Sequence, residues 1–535
     1  MKTKLLLIAL TLSCNLSMGQ QVSFTIQTIN TQNDGDDRGL VDMNGDFLDD
    51  IVSIGRQNIQ IFYQQTDGAL SEINIPTTFA DYPASWSMAA GDFDGNGYND
   101  LLYGGGSGVT FMKANNTGTG YTEISGSEFV FSQRSNFIDI NNDGNLDAFV
   151  CHDVEPNVFY INDGSGNLLY NQGSLGDYPT GGNYGSVWVD FDNDRDMDLF
   201  IAKCGGEAPR RDNEMHINNG DGTFTEVAAV MNLEDDMQTW SSAWADYDND
   251  GDLDIWIGAS TTADGFHRLM RNNGDGTFTD VIEDSGLTLF TDTDIENATH
   301  DFNNDGFADI ITAGKILYGN GDLTFNIIPG APFGSAFGDV NNDGFIDAFG
   351  AGTLLINNAN SNNWLKINTI GTQSNLNGIG ARIEISSALG NQMRDIRSGE
   401  GFRYMSSLNA HFGLAQDTTI DTVTVYWPSG VIDVLNDVDV NQTLTIIEGA
   451  TLGLDDNTVK NLILYPNPAV DVLNLSDISQ FESPFYSIFD MSGKRVMNGS
   501  LDNQRLNISQ LAEGVYILRV ADRHTRKAQK FSKKR

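Results

Sequence analysis

DYDNDGDLD, running from Asp246 to Asp254, is the stretch whose reading decides the fold. Carboxylates stand at loop positions 1, 3, 5 and 9 and a glycine at position 6, which packs oxygen donors around a hard cation such as calcium and lets the backbone reverse sharply. Six relatives occur: DMNGDFLDD from Asp42, DFDGNGYND from Asp92, DINNDGNLD from Asp139, DFDNDRDMD from Asp190, DFNNDGFAD from Asp301 and DVNNDGFID from Asp339. Successive starts lie 50, 47, 51, 56, 55 and 38 residues apart, so the loop marks an internal repeat.

Each copy departs from an EF-hand, because the bidentate glutamate at position 12 is missing and a strand-like run follows at once. In the fifth repeat the pattern predicts strands over 241–245, 254–258, 267–271 and 277–281, with the acidic loop between the first two and the turn Asn272-Asn-Gly-Asp-Gly276 before the last. Four short antiparallel strands per repeat make a propeller blade. The last repeat lacks a fourth strand before the composition changes near residue 360, and Val22 to Gln27 has the character of one. The expected fold is therefore all-β, a seven-bladed propeller over 20–360 whose N-terminal strand completes the seventh blade and removes an open sheet edge.

The chain carries 73 acidic against 30 basic residues, a formal net charge of −43, which disfavours nucleic acid and anionic membranes as partners. The seven loops alone hold 26 carboxylates, whose mutual repulsion calls for cations. Residues 1–19 read as a signal peptide, with Lys2 and Lys4, an apolar run from Leu5 to Leu12 and small residues before Gln20. No later segment reads as transmembrane. Beyond that leader only Cys151 and Cys204 remain; they follow acidic loops of adjacent repeats, where a bridge is conceivable and two buried thiols are the favoured reading.

Segments such as Phe333-Gly-Ser-Ala-Phe-Gly-Asp339, followed by the acidic loop to Asp347, resemble the FG-GAP/VCBS repeats of integrin-α-type propellers. The resemblance implies about one Ca²⁺ per blade, held between the first and second strands. Carried across residue by residue, the ligands would be Asp42, Asn44, Asp46 and Asp50; Asp92, Asp94, Asn96 and Asp100; Asp139, Asn141, Asp143 and Asp147; Asp190, Asp192, Asp194 and Asp198; Asp246, Asp248, Asp250 and Asp254 with the carbonyl of Asp252; Asp301, Asn303, Asp305 and Asp309; and Asp339, Asn341, Asp343 and Asp347. Loops one and four fit least well, since Phe47 and Arg195 replace the glycine that relieves a left-handed backbone. The alternative is a set of Asx turns that need no metal.

Residues 361–450 lack the acidic loop and alternate as strands over 364–369, 381–386, 422–427 and 443–448. The run Asn377 to Arg382, then Arg397-Ser-Gly399, His411-Phe-Gly-Leu414 and Val425 to Gly430, resembles the ASPIC/UnbV domain of cartilage-acidic-protein-like chains. Arg382, Arg397, Glu400, Arg403 and His411 could form a polar cluster there, with His and Glu as an acid/base pair. The favoured reading pairs Arg382 and Arg397 with strand carboxylates and packs His411 beside Phe412. His300 is expected only to replace an apolar residue.

A polar linker over 451–460 leads to a β-sandwich over 461–535. Leu464 to Pro468, Ile488 to Arg495 and Ile508 to Ile517 read as strands and turns, the chain turns basic from Arg523, and the order of the three motifs resembles a type A sorting domain of the type IX secretion system of Bacteroidota. That implies export through the secretion machinery to the medium or the outer cell surface. The function expected is a calcium-binding adhesion or binding module for a glycan or protein ligand, monomeric and without catalytic residues. A polysaccharide-active, lyase-like enzyme and a structural spacer presenting the second domain are the alternatives. Trp86, Tyr184, Trp188, Trp240 and Trp244 are candidates to stack on sugars, though first-strand aromatics belong more often to the core.

Overall fold

In the fifth repeat Thr239–Ala245, Asp254–Ala259, Arg268–Asn272 and Phe278–Asp280 pair antiparallel in that order. Asp254 sits opposite Ala245, so the acidic loop is the turn between the first two strands. The first two strands are almost wholly buried and the outer strands only in part, the gradient expected of short sheets stacked radially. The computed structural model describes residues 22–31, 36–330, 332, 334–451, 464–475, 484–490, 494–501, 504–521 and 526–534. The expected leader and nearly all of the expected linker lie outside the described residues.

Seven four-stranded sheets of this kind fill the chain up to Asn357. Phe24–Thr28 pairs antiparallel with Thr353–Asn357 and supplies the outer strand of the seventh sheet. Neighbouring sheets share apolar seams. The first meets the second through Val41, Ile54, Met88 and Leu101, the fifth meets the sixth through Ala243, Trp256 and Ile310, and the seventh returns to the first through Phe349, Leu354, Leu40 and Ile51. The only helix among the described residues is the single turn Ala228–Met231. Cys151 and Cys204 are both free.

The second domain pairs a three-stranded sheet, in which Asn363–Ile370 lies between Ala410–Ala415 and Gln442–Ile447, with a four-stranded sheet ordered Gly390–Asp395, Arg382–Ser387, Thr419–Tyr426 and Ile432–Asp439. Its core is continuous with that of the third and fourth propeller sheets, since Leu365, Ile383, Ile396 and Trp427 belong to one cluster with Phe137, Ile138 and Met197. The C-terminal region packs a three-stranded sheet against a four-stranded one around Leu473, Ile488, Leu518 and Phe531.

Between Asp395 and Ala410 the chain leaves one sheet of the second domain and fills the propeller channel before entering the other. It touches the inner strands of all seven sheets. Met405 exchanges backbone hydrogen bonds with Arg38 and Leu40, Arg403 accepts one from Met88, and Arg134 Nη1 donates to the Tyr404 carbonyl at 2.8 Å. Phe402 meets the rings of Tyr184 and Trp240. Its N–H donates to Glu296 Oε2 at 2.9 Å, and the Ser407 N–H donates to the Phe337 carbonyl. The plug helps explain why the inner strand Ser132–Ile138, which reads SQRSNFI, is buried throughout: Arg134 and Asn136 donate to plug carbonyls, while Ser132, Gln133 and Ser135 find partners within the propeller. Gly399 has φ +96° and a Cβ there would overlap the Arg134 guanidinium. Gly399→Ala is expected to undock the plug, lowering stability by about 2 kcal/mol or more and opening Arg397 and Arg403 to trypsin; a variant as protease-resistant as the parent would refute this role.

Candidate functional site

Each acidic loop is built on its ninth residue. In loop five the Asp254 carboxylate accepts the Tyr247 N–H on Oδ2 at 3.2 Å and the Asn272 N–H on Oδ1 at 2.8 Å, tying the loop to the third strand. Asp50, Asp100, Asp147, Asp198, Asp309 and Asp347 do the same in their own sheets. All seven are buried. Desolvation pushes Asp50, Asp198 and Asp254 up to about 9, against hydrogen bonds that pull the other way.

The first aspartate turns the loop. Asp246 accepts the Asp250 N–H on Oδ1 and the Gly251 N–H on Oδ2, both at 3.0 Å, and Asp92, Asp139, Asp301 and Asp339 repeat this. The sixth residue is left-handed even where it is not glycine: Phe47 has φ +66° and Arg195 +81°. The fourth residue is left-handed too, at Gly45, Gly95, Asn142, Asn193, Asn249, Asn304 and Asn342. Its signal, Gly or Asn in all seven copies, was visible in the sequence. These asparagines also link the loops into a chain: Asn142 donates to Asp196, Asn193 to Asp252, Asn249 to the Gly306 carbonyl and Asn304 to the Gly344 carbonyl.

The loops differ in how well they suit an ion. Acidic oxygens of Asp92, Asp94 and Asp100, of Asp190, Asp192 and Asp194, and of Asp246, Asp248 and Asp250 lie within 4.8 Å of one another. Asp94 Oδ1, Asp248 Oδ1 and both carboxylate oxygens of Asp190 are buried without a hydrogen-bond partner, a fit to an oxygen-ligated cation. Where position 3 is asparagine, at Asn44, Asn141, Asn303 and Asn341, its amide donates to the carboxylate at position 5. Asn96, at position 5 of loop two, instead donates to the Ala114 carbonyl and accepts from the Tyr98 N–H. The Asp252 side chain lies outside the ligand group and receives Asn193.

The second domain sits on this loop-bearing face. Asn377 accepts the Asp92 N–H and donates to Asn99, and Asn409 donates to the Phe47 carbonyl. Lys366 and Arg382 end on Asp339 and Asp190. A void of about 410 Å³ remains between loops one and two and the second domain, lined by Phe47, Asp92, Ile370 and Leu376 among others.

The polar cluster expected in the second domain forms in part: Arg397, Glu400 and His411 share one cavity, and Arg382 and Arg403 lie outside it. Arg382 pairs with the strand carboxylate of Asp395 at 2.7 Å, as the sequence reading has it, but Arg397 donates to the Trp244 carbonyl instead. His411 donates from Nε2 to the Gly344 carbonyl at 2.9 Å, and burial lowers it to about 4. Glu400 reaches across the interface to His300, Oε1 to Nε2 at 2.6 Å. His300 thus does more than replace an apolar residue, which no local signal showed because its partner lies 100 positions away. Arg394, Arg397, Glu400, His300 and His411 line one cavity of about 90 Å³, room for a few water molecules.

Each inner strand runs toward its acidic loop, so its first residues mark the opposite mouth of the channel. Trp188 and Trp244 belong to the core. Trp86, Tyr184 and Trp240 do not: half-buried, they gather at this mouth around Phe402 of the plug, with ring centroids 6.2, 6.4 and 4.9 Å from it. The Arg403 guanidinium lies 5.9 Å from the centre of the Trp86 ring. Arg210 Nη2 contacts Asp153 at 2.8 Å, and the Tyr184 hydroxyl donates to Asp153 at 3.2 Å.

Three sequence families match the chain: the FG-GAP-like repeat at residues 42–103, 92–150, 139–201 and 190–257, ASPIC and UnbV at 371–453, and the secretion system C-terminal sorting domain at 463–534. No curated protein matches by sequence. Solved structures similar to the chain include PorZ of the type-IX secretion system of Porphyromonas gingivalis, at 11% identity and TM-score 0.32, covering 91% of this chain and 58% of that one. The extracellular domain of a putative hybrid two component system from B. thetaiotaomicron matches at 11% identity and TM-score 0.40, covering 97% of this chain and 60% of that one. The V. cholerae biofilm matrix protein Bap1 matches at 12% identity and TM-score 0.30, covering 96% and 83%. The chain thus spans about three fifths of the length of the first two. No helix among the described residues is long and apolar enough to cross a membrane. The chain thus carries FG-GAP-like repeats within a β-propeller ring of four-stranded sheets, an ASPIC and UnbV domain and a type IX secretion sorting domain, and it is secreted or displayed on the outer cell surface.

Proposed function

We propose that the chain is a calcium-stabilised binding protein, each sheet of the ring serving as one of seven blades, and that the channel mouth opposite the acidic loops binds a neutral glycan. The observation that carries this is the group of half-buried rings from three sheets, Trp86, Tyr184 and Trp240, around Phe402. Ring faces suit the apolar face of a pyranose, and the flanking planar groups of Asp153, Arg210 and Arg403 suit its hydroxyls. A net charge of −43 works against an acidic polymer. The lyase-like alternative would draw on His300 and Glu400, but their cavity of about 90 Å³ has no room for a sugar ring. On immobilised neutral polysaccharides the full chain is expected to be retained without releasing reducing ends or unsaturated products. Trp86→Ala with Trp240→Ala is expected to weaken retention about tenfold or more. Product formation favours the enzyme, and undiminished retention by the double variant places the ligand elsewhere.

Calcium, when bound, supplies positive charge to loops that are otherwise crowded with carboxylates. Loop five suits it best, with Asp246, Asp248, Asp250 and Asp254 and, among the described residues, no lysine or arginine in an ion pair with any of them. Because an ion that binds only the folded chain adds its binding energy to folding, excess chelator is expected to lower the melting temperature by ten degrees or so. An unchanged melt would rule out structural calcium.

The metal-free protein should also respond to pH. Folding raises Asp147 to about 7, Asp100 to about 8 and Asp50, Asp198 and Asp254 to about 9, chiefly by burial. In the unfolded chain such groups titrate near 3.9. Between those values the folded state holds protons that the unfolded state has released, so stability from this source is present at low pH and is lost as pH climbs through 7 to 9. Chelator-treated protein is therefore expected to melt lower at pH 9 than at pH 6, with calcium narrowing the gap; the opposite trend would show that these carboxylates are ionised in the folded metal-free state.

A further inference from the structure

Two basic side chains of the second domain end on equivalent points of two acidic loops. Lys366 Nζ lies 3.0 Å from Asp339 Oδ2 and 2.8 Å from the Asn342 side-chain oxygen, the first and fourth residues of loop seven. Arg382 meets the same two positions of loop four: Nη1 bonds the Asn193 side-chain oxygen and lies 3.3 Å from Asp190 Oδ2, while Nη2 bonds the Asp190 carbonyl. Ammonium, guanidinium and both aspartates are at most 3% exposed. Arg195, at the sixth position of loop four, brings a second guanidinium to 3.8 Å from Asp190 Oδ2. Its own charge faces Glu384 at 3.5 Å and its plane covers the Tyr426 ring at 3.7 Å, so the second domain holds it in place.

A divalent ion in loop seven would share its first ligand with a buried ammonium, and water is too scarce there to screen the repulsion, whereas in loop four the Arg382 charge is already met by Asp395 at 2.7 Å. Lys366 cannot retreat without leaving an unpaired ammonium in the interior. Lys113, which contacts Asp94 of loop two at 2.8 Å, is different: its side chain is 29% exposed and can turn into solvent when an ion arrives.

We propose that loop seven holds no calcium, and that Lys366 of the second domain takes the ion's place there. The ring is then held partly by ions and partly by the docked domain, and the second domain is a built-in cation source for the propeller as well as its plug. The inference rests on the calcium reading of the remaining loops.

The test is anomalous diffraction from crystals of the full chain grown with calcium or terbium, together with equilibrium dialysis of chelator-stripped protein. Density at loop five and others of loops one, two, three, four and six, with loop seven empty and six ions or fewer on the ring, is the expected result. Density at loop seven while Lys366 still contacts Asp339 overturns the substitution and leaves the calcium reading intact. No ion in any loop overturns both. Lys366→Met provides a second readout: in chelator it is expected to melt ~5 °C or more below the parent, and millimolar calcium is expected to restore it with one additional ion bound per chain. A stable variant that gains no ion and no calcium response overturns the claim that Lys366 stands in for one; if the variant does not fold, the parent's density decides.

Discussion

Seven buried carboxylates, each accepting one N–H from its own loop and one from the third strand of its own sheet, set the terms for the rest of the molecule. Taking a carboxylate out of water costs several kcal/mol unless its charge is met. Two backbone hydrogen bonds meet part of that cost, and a proton, a metal ion or a neighbouring base must meet the remainder. The same bonds fix the spacing between the first, second and third strands, so the electrostatic demand and the blade geometry have one origin. The loop-bearing face is accordingly where the propeller and the second domain interact most through charge.

The plug answers a different demand. A ring of short sheets leaves an axial channel, and the inner strands here carry Ser87, Ser132, Gln133, Arg134, Asn136 and Ser186, all buried. Polar groups facing a narrow channel need partners: carbonyls of residues 396–409 meet Arg134 and Asn136, and the other four bond to one another or to neighbouring propeller groups. The small residues Ser398, Gly399 and Gly401 let that segment pass close to the Arg134 guanidinium and to Glu296. Because Phe402 reaches the far mouth, the second domain contributes to both faces of the propeller: its body covers the acidic loops and its tip joins the aromatic group.

Much of this was legible locally. The loop motif, its repeat and the turn at Asn272 to Gly276 carry the sheet pattern, because four-residue strands and tight reversals depend on residues within ten positions of one another. The outer position of Phe24–Thr28 in the last sheet follows from a missing strand and an unused one. The candidate site was legible only in its ligand types. The sequence reading took Trp86, Tyr184 and Trp240 together with Trp188 and Trp244, since all five stand on or beside first strands; the difference between them is the end of the strand each occupies, and that is set by the ring. His300 and Glu400, or Lys366 and Asp339, are likewise unremarkable until the domains dock.

The sequence by itself determined the repeating unit, the order of domains and the residues able to meet a hard cation, because strand period, left-handed turn positions and oxygen donors are properties of short stretches. Only the tertiary structure decided which acidic loop receives Lys366, what fills the channel, and which aromatic rings reach a surface. Those outcomes depend on contacts between residues far apart in the chain, where burial and unscreened charge, rather than local conformation, set the energy.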